Sequence, residues 1–393
     1  MAETVTTHRD FLRIALLCDS FGALGGVAQI VEELAFAFAR AGHRVAIVSN
    51  PERKPNSVLR ALTPAVEQTW IDLPRAKPLT LRHPERLVRR SAAPQLTSFI
   101  REWAPDVLNV HGGLRDRFPG ILKACRQTRV PLVQSFHLVP ELSAGDIEAA
   151  RLNGFVGNAL AAAAAITFPS SAVKEGFQRI WPEASRARII RGGVNLEAAA
   201  RSLPFRRERA YLFSASRLDL RHKAVDALVQ AFGLIAAEFP EVDLLIAGDG
   251  PQRGQIEKMI GRLSLQRRIF LLSSLPHDEL WSVYKGALFF VMLSRMAEGL
   301  PLVFFEAMAC GLAVIGTRNG GTPEIVLHEQ TGLLVDDNEP TTVAGALRAL
   351  LANRDQRERL ARRGSECAKD YDWRKTASEY MELYQELSAL RER

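Results

Sequence analysis

The sequence predicts two α/β domains, each a doubly wound, Rossmann-like parallel sheet. Three observations predict it. The chain has 393 residues, about twice the size of an ordinary domain. Short apolar runs alternate with segments of helical periodicity along its whole length, the pattern of parallel strands covered by helices. A polar, arginine-rich break at 198–209 separates two such series.

In the first series, 13–19 (RIALLCD) reads as a buried strand. After a glycine-rich turn, a helix is expected over 27–41, with Val27, Ile30, Val31, Leu34, Ala35 and Phe38 on one stripe. Gly42 stops that helix, and 45–49 is the next strand. Further strands are expected at 69–73, 106–110, 131–137, 165–168 and 188–191. The intervening segments are helix-like, and alanine-rich 159–165 reads as a closely packed helix.

In the second series, 211–216, 243–247, 269–273, 287–293, 313–316 and 332–335 read as strands. Val225, Leu228, Val229, Phe232, Ile235, Ala236 and Phe239 form a long helical stripe between the first two. The last segment, 376–390, is an amphipathic helix carrying Ala377, Tyr380, Met381, Tyr384 and Leu387. Domains of 1–198 and 199–373 follow, with 374–393 as a terminal helix.

Apolar residues make up 47% and charged residues 24%, enough for two real cores. The formal charge of +7 is unevenly placed: residues 1–200 hold 25 Lys+Arg against 18 Asp+Glu, and the remainder balances at 26 each. Arg75, Lys77, Arg82, Arg86, Arg89 and Arg90 cluster with only Glu85 opposing them. Such a stretch can face phosphates, anionic lipid or nucleic acid, or form a solvated helix face. The four cysteines are scattered, without disulfide or zinc spacing, and Cys18 and Cys310 read as small core residues. No apolar signal segment opens the chain, and no run approaches the ~18 residues that span a bilayer. A cytoplasmic protein is expected, with peripheral membrane contact left open.

Motifs narrow the chemistry. Gly22-Ala-Leu-Gly-Gly26 joins a strand to a helix, where glycine lets a ligand approach the backbone and the helix start favours an anion. It is not G-x-G-x-x-G, and Ser49-Asn50 ends the second strand where a dinucleotide fold has an acid, so a dinucleotide reading is weak. Arg217-Leu-Asp-Leu-Arg-His-Lys223 follows a strand of the second series and suits a diphosphate: arginine as a planar fork, lysine as a compact point charge. Alone, it reads equally as a solvated loop. Glu298 and Glu306 are separated by seven intervening residues, Glu298 in a turn and Glu306 on the helix after Pro301. Pro301 suits a first helical position. Two carboxylates from successive helical levels can accept from sugar hydroxyls, or serve as a cap and a salt-bridge partner.

Taken together, Arg217/Lys223, the Glu-x7-Glu block, Gly248-Asp-Gly-Pro251, Gly320-Gly-Thr-Pro-Glu-Ile325 and Gly25-Gly26 resemble the family 4 retaining glycosyltransferases of GT-B fold. The resemblance runs from about residue 13 to the terminal helix. It implies two Rossmann-like domains facing each other across a cleft, the nucleotide in the second and the acceptor in the first. Arg217 and Lys223 would hold the diphosphate, Glu298 donor-sugar hydroxyls and Glu306 the ribose. Backbone N–H groups of Leu302 and Val303 would complete the phosphate site, Gly25 and Gly26 would approach it from the first domain, and Gly248 would line it. The base would fall near Ser274-Leu275. His137 takes the place of a family histidine beside the donor sugar; for His111, ligand and core roles are even. The terminal helix would pack back on the first domain.

The implied reaction moves a hexose-type sugar from a UDP-, GDP- or ADP-sugar to a sugar, lipid-linked glycan or small molecule, with retention. No metal or other cofactor is expected, since the only Asp-x-Asp, Asp370-Tyr-Asp372, reads as a surface turn. Gly-Leu-Pro-Leu after Glu298 departs from the Phe-Gly of many relatives, and Pro301 lacks an N–H, which touches sugar identity. Arg75–Arg90 could dock on anionic membrane. A nucleotide-sugar 2-epimerase of the same architecture is the alternative. A nucleic-acid-binding protein is less favoured, for aromatic residues are only 7% and not interleaved with the basic cluster; an NAD-dependent oxidoreductase ranks last.

Overall fold

A computed structural model describes residues 11–18, 26–49, 66–71, 93–112, 118–139, 157, 162–179 and 181–391. The chain divides into two compact units. The first comprises Met1–Pro169, Val173–Ile190 and Thr376–Arg393, the second Ser170–Ala172 and Arg191–Lys375.

The first unit holds a seven-stranded parallel sheet: β1 (Arg13–Cys18), β2 (Arg44–Ser49), β3 (Val66–Trp70), β4 (Val107–His111), β5 (Leu132–Ser135), β6 (Ala165–Phe168) and β7 (Arg188–Ile189). Their spatial order is β3-β2-β1-β4-β5-β6-β7. Helices α1 (Gly26–Arg40), α2 (Ala93–Trp103), α3 (Phe118–Thr128) and α4 (Ser171–Gln178) follow β1, β3, β4 and β6. Strands covered on both faces must be apolar throughout, and Ile14 to Cys18 are all buried. The expected stripe of α1 is the buried one, except that Val27 lies at its exposed end. Gly42 ends that turn at φ +92°, a backbone state glycine adopts without strain.

The second unit opens with α5 (Leu196–Arg201), then β8 (Ala210–Ala215), α6 (Val225–Ile235), β9 (Val242–Ala247), α7 (Arg253–Arg262), β10 (Ile269–Leu272) and α8 (His277–Gly286). It continues through β11 (Phe290–Met292), α9 (Leu302–Ala309), β12 (Val314–Thr317), β13 (Gly332–Val335), α10 (Pro340–Ala352), α11 (Arg354–Ala368) and the first residues of α12 (Trp373–Arg391). The sheet order is β10-β9-β8-β11-β12-β13, all parallel. Order reverses between β8 and β11, the switch point of this sheet. Phe213, Tyr284, Phe290 and Phe304 pack edge-on and tilted beneath that point.

Several boundaries differ from expectation, each for a local reason. β3 covers 66–70 rather than 69–73; it is an edge strand with only Val66 buried, so its apolar signal is weak. The expected 287–293 strand shrinks to β11 because the Ala287 N–H caps α8 and the Leu293 carbonyl accepts from Ala224 N–H. The 198–209 break begins inside α5, which Asn195 caps by accepting from Ala198 N–H. The long stripe ends as helix at Ile235, and Phe239 follows in a turn. Pro301 is not the first helical residue: at φ −76°, ψ 101° it precedes α9, which starts at Leu302. Glu298 lies off the helix that carries Glu306, as expected. The body of α12 belongs to the first unit, where Asn109 Nδ2 donates to Tyr384 at 2.6 Å.

Candidate functional site

In the second unit, the β8–α6 and β11–α9 loops leave the switch point side by side. Lys223 and Ser294 form an antiparallel bridge, and Arg295 N–H donates to the His222 carbonyl at 2.8 Å. This pairing brings Lys223 Nζ to 2.5 Å from Glu298 Oε1, both side chains 18% exposed. Ser294 Oγ donates to the same oxygen, and Lys223 Nζ also lies 3.3 Å from Ser294 Oγ. Glu298 Oε2 accepts no hydrogen bond from the described residues.

Glycines lock these loops backbone to backbone. A Cβ on Gly320 would lie 2.2 Å from the Glu298 carbonyl, and one on Gly321 would lie 2.0 Å from that of Gly299. The space is used: Gly321 N–H donates to the Glu298 carbonyl at 2.8 Å, and Asn319 Nδ2 to the Ser294 carbonyl at 2.8 Å. Gly248, at φ +133°, has the same function for the β8–α6 loop. A Cβ there would meet the Ser216 carbonyl at 2.0 Å, and Leu218 N–H donates to the Asp249 carbonyl at 3.0 Å.

Asp219 organises the cations of the first loop. It is 1% exposed, and Arg217 Nη2, Arg221 Nη2 and His222 Nδ1 lie 3.2, 3.1 and 3.1 Å from its Oδ2. The Arg221 guanidinium, bonding both oxygens, holds the carboxyl well below the usual carboxylate range. The side chains of Arg217 and Arg221 stay 64% and 72% exposed, available to an anion while anchored at one end.

Glu306 forms a separate cluster. It is 2% exposed, accepts from Tyr284 OH at Oε2 (3.0 Å), and meets His277 Nε2 at Oε1 (3.0 Å). Burial, then the Glu306 charge, raises the Tyr284 phenol well above its ordinary value. His277 opens α8 two residues beyond Leu275, so Glu306 on α9 meets the start of the helix that follows β10. No direct hydrogen bond joins Glu298 to Glu306 among the described residues. Leu302 and Val303 occupy the first turn of α9, where N–H groups have no preceding helical carbonyl.

In the first unit, His137 stands two residues beyond β5 and meets His111, the last residue of β4: His111 Nδ1 is 3.1 Å from His137 Nε2. Burial pushes His137 down to about 4; burial and then the neighbouring His137 hold His111 well below its ordinary value. Gly26 is the first residue of α1, whereas Gly25 and the Arg75–Arg90 stretch lie outside the described residues. Asp372 belongs to the start of α12, accepting from Arg374 N–H at 2.8 Å. The described residues contain no group of three or more His, Cys, Asp or Glu arranged to hold a metal, and none of their helices is long and apolar enough to cross a membrane.

Sequence reasoning missed Asp219, Ser294, His277 and Tyr284. Asp219 was legible between Arg217 and Arg221; the others converge only through folding.

Known proteins carry the same design. The model for glycosyl transferases group 1 matches residues 196–366, and that for glycosyltransferase family 4 matches 24–198. Glycogen synthase of Mycobacterium tuberculosis is 26% identical over 392 residues, 92% of this chain and 91% of its own length. D-inositol 3-phosphate glycosyltransferase of Corynebacterium urealyticum is 33% identical over 179 residues, 44% of this chain and only 42% of its own length. Anabaena HepE, crystallised with UDP-glucose, superimposes with a TM-score of 0.77 at 18% identity, covering 95% of this chain and 99% of its own.

Proposed function

Because the chain belongs to the family 4 glycosyltransferases of GT-B fold, we propose that it moves a hexose-type sugar, with retention, from a nucleoside-diphosphate sugar to a glycan or lipid-linked acceptor. The observation that carries this reading is the Lys223–Glu298 pair at the switch point. One carboxylate oxygen is held by Lys223 and Ser294, and the other is open to accept from a sugar hydroxyl. Arg217 and Lys223 supply charge to the departing diphosphate, assisted by the N–H groups of Leu302 and Val303 at the α9 start. Glu306, oriented by His277 and Tyr284, meets the ribose, and the base lies near Ser274 and Leu275. Gly25, Gly26 and His137 are further proposed donor contacts.

In the step itself the bond from the anomeric carbon to the phosphate oxygen breaks. The acceptor oxygen forms its bond on the same face, and its proton passes to the leaving diphosphate. Catalysis then rests on positioning and on electrostatic stabilisation of the leaving group. A chelator is expected to leave activity intact, since Arg217 and Lys223 meet the diphosphate charge. The transferases among the relatives make the 2-epimerase alternative the less favoured one.

Thermal shift with UDP-, GDP- and ADP-sugars tests the reading. One nucleotide class should raise Tm by mass action, by about 2.7 kcal/mol of stabilisation at a hundred times Kd. A flat response to all three would refute it. For the acceptor, flotation with anionic against neutral vesicles reports on Arg75–Arg90; equal binding to both would remove the electrostatic membrane role.

A further inference from the structure

His111 and His137 meet edge to edge rather than face to face. Their ring planes differ by 10° and their centroids are 5.3 Å apart, the separation of two imidazoles joined through their nitrogens. The strand ends that carry them are tied together. Gly112, at φ +92°, donates from its N–H to the Ser135 carbonyl at 2.9 Å, and Gln134 Nε2 donates to the Gly112 carbonyl at 2.9 Å. Tyr380 tilts against the His111 ring with centroids 6.1 Å apart, its hydroxyl 3.3 Å from Ser135 Oγ and 3.2 Å from Thr167 Oγ1.

A neutral N–H···N bond has one donor and one acceptor, so the two tautomers are coupled. With the His111 proton on Nδ1, His137 accepts at Nε2 and carries its own proton on Nδ1. With the His111 proton on Nε2, His137 donates from Nε2 and presents a lone pair at Nδ1. His111 Nε2 and His137 Nδ1 are buried and have no hydrogen-bond partner among the described residues. Among the described residues, the only hydrogen bond to either ring is therefore the one that joins them. Burial keeps both uncharged near neutral pH.

We propose that His111 is a positioning residue: it locks the ring plane and tautomer of His137, and so decides whether His137 Nδ1 donates to or accepts from the bound sugar. This rests on the reading of His137 as a donor-sugar contact. It assigns His111, 1% exposed and unable to reach a ligand except through its neighbour, a role in the reaction rather than in the core alone.

Ring-nitrogen NMR of the full chain without donor tests the lock independently of activity. In the unsubstituted protein His137 should show one tautomer. His111→Phe should convert it to a mixture and lower kcat on the order of a hundredfold, as for a misplaced reacting group. His111→Asn, whose amide can take the place of Nδ1, should restore the single tautomer and most of kcat. His111→Gln, which places its amide near Nε2 instead, should not, and it serves if His111→Phe fails to fold. An unchanged His137 spectrum in His111→Gln or His111→Phe would overturn the lock, as would equal kcat losses in the Asn and Gln variants. Full activity in His137→Ala would instead refute the sugar-contact reading, while the spectra still decide the lock.

Discussion

At the carboxyl ends of its strands the first unit presents two uncharged histidines backed by hydroxyls and an amide. At the corresponding ends the second unit presents lysine, arginines and carboxylates. The scaffolds are alike: parallel strands, crossover helices and an order that reverses once. What differs is how charge is handled. Burial with no counter-ion among the described residues keeps His111 and His137 neutral, whereas Asp219, buried too, stays ionised because three cationic or ionisable partners surround it. The comparison teaches that strand-end geometry offers a place for a ligand, and the partners packed around each side chain decide its chemistry.

The sharpest way to break this comparison is to remove the second unit's point charge. Lys223→Ala should lower kcat by roughly 100- to 1000-fold, about 3 kcal/mol, as for a lost oxyanion donor. Turnover near the unsubstituted level would show that the charged cluster is structural only. Next comes the loop lock. Gly248→Ala puts a Cβ against the Ser216 carbonyl at a φ of +133° and should destabilise the second unit by about 2 to 3 kcal/mol. Denaturant melts measure it; an unchanged midpoint would mean that the loop gives way freely.

Acidification separates the two units by range. Unfolded histidine titrates near 6.5, and His137 in the fold near 4. Between those values the unfolded chain binds more protons, so stability rises with pH and is lost as pH falls from 6.5 toward 4. At 1.4 kcal/mol per unit, His137 should cost the first unit about 2 kcal/mol by pH 5, and His111, also lowered, acts in the same direction. Asp219 has the same sign but a lower range: its folded value is depressed, so its contribution is present above about 3.8 and still intact at pH 5. Hydrogen exchange resolved by strand should show β4 and β5 losing protection at pH 5 before β8 and β11. The smallest expected effect is Asp219→Asn, which keeps the side-chain volume but frees Arg217 and Arg221. Donor KM should rise about tenfold, roughly 1.4 kcal/mol, with kcat less affected; an unchanged KM would show that the arginines need no anchor.

Much of this was legible in the residues. Continuous apolar strands such as Ile14–Cys18 and the stripe of α6 follow from burial on both faces and a 3.6-residue period, which are local properties. The expected bounds slip where the local signal is weak, as at edge strand β3, or where a distant partner intervenes, as when Ala224 takes the Leu293 carbonyl from the end of β11. For the site, residue types and spacing picked out Arg217, Lys223, Glu298 and Glu306. Glu298 stands off the helix and Glu306 on it, as expected, but helical levels do not set the spacing between them, because Pro301 stays extended and α9 begins after it.

By itself, the sequence determined the double α/β design, the family and the charged residues of the second unit, since each is written in short-range pattern. Only the tertiary structure decided which groups meet. It paired Lys223 with Glu298 across 75 positions, gave Glu306 to Tyr284 and His277, and joined His111 to His137. Those meetings depend on strand order and on glycines whose missing Cβ lets two backbones touch. Long-range proximity of that kind leaves no periodicity along the chain.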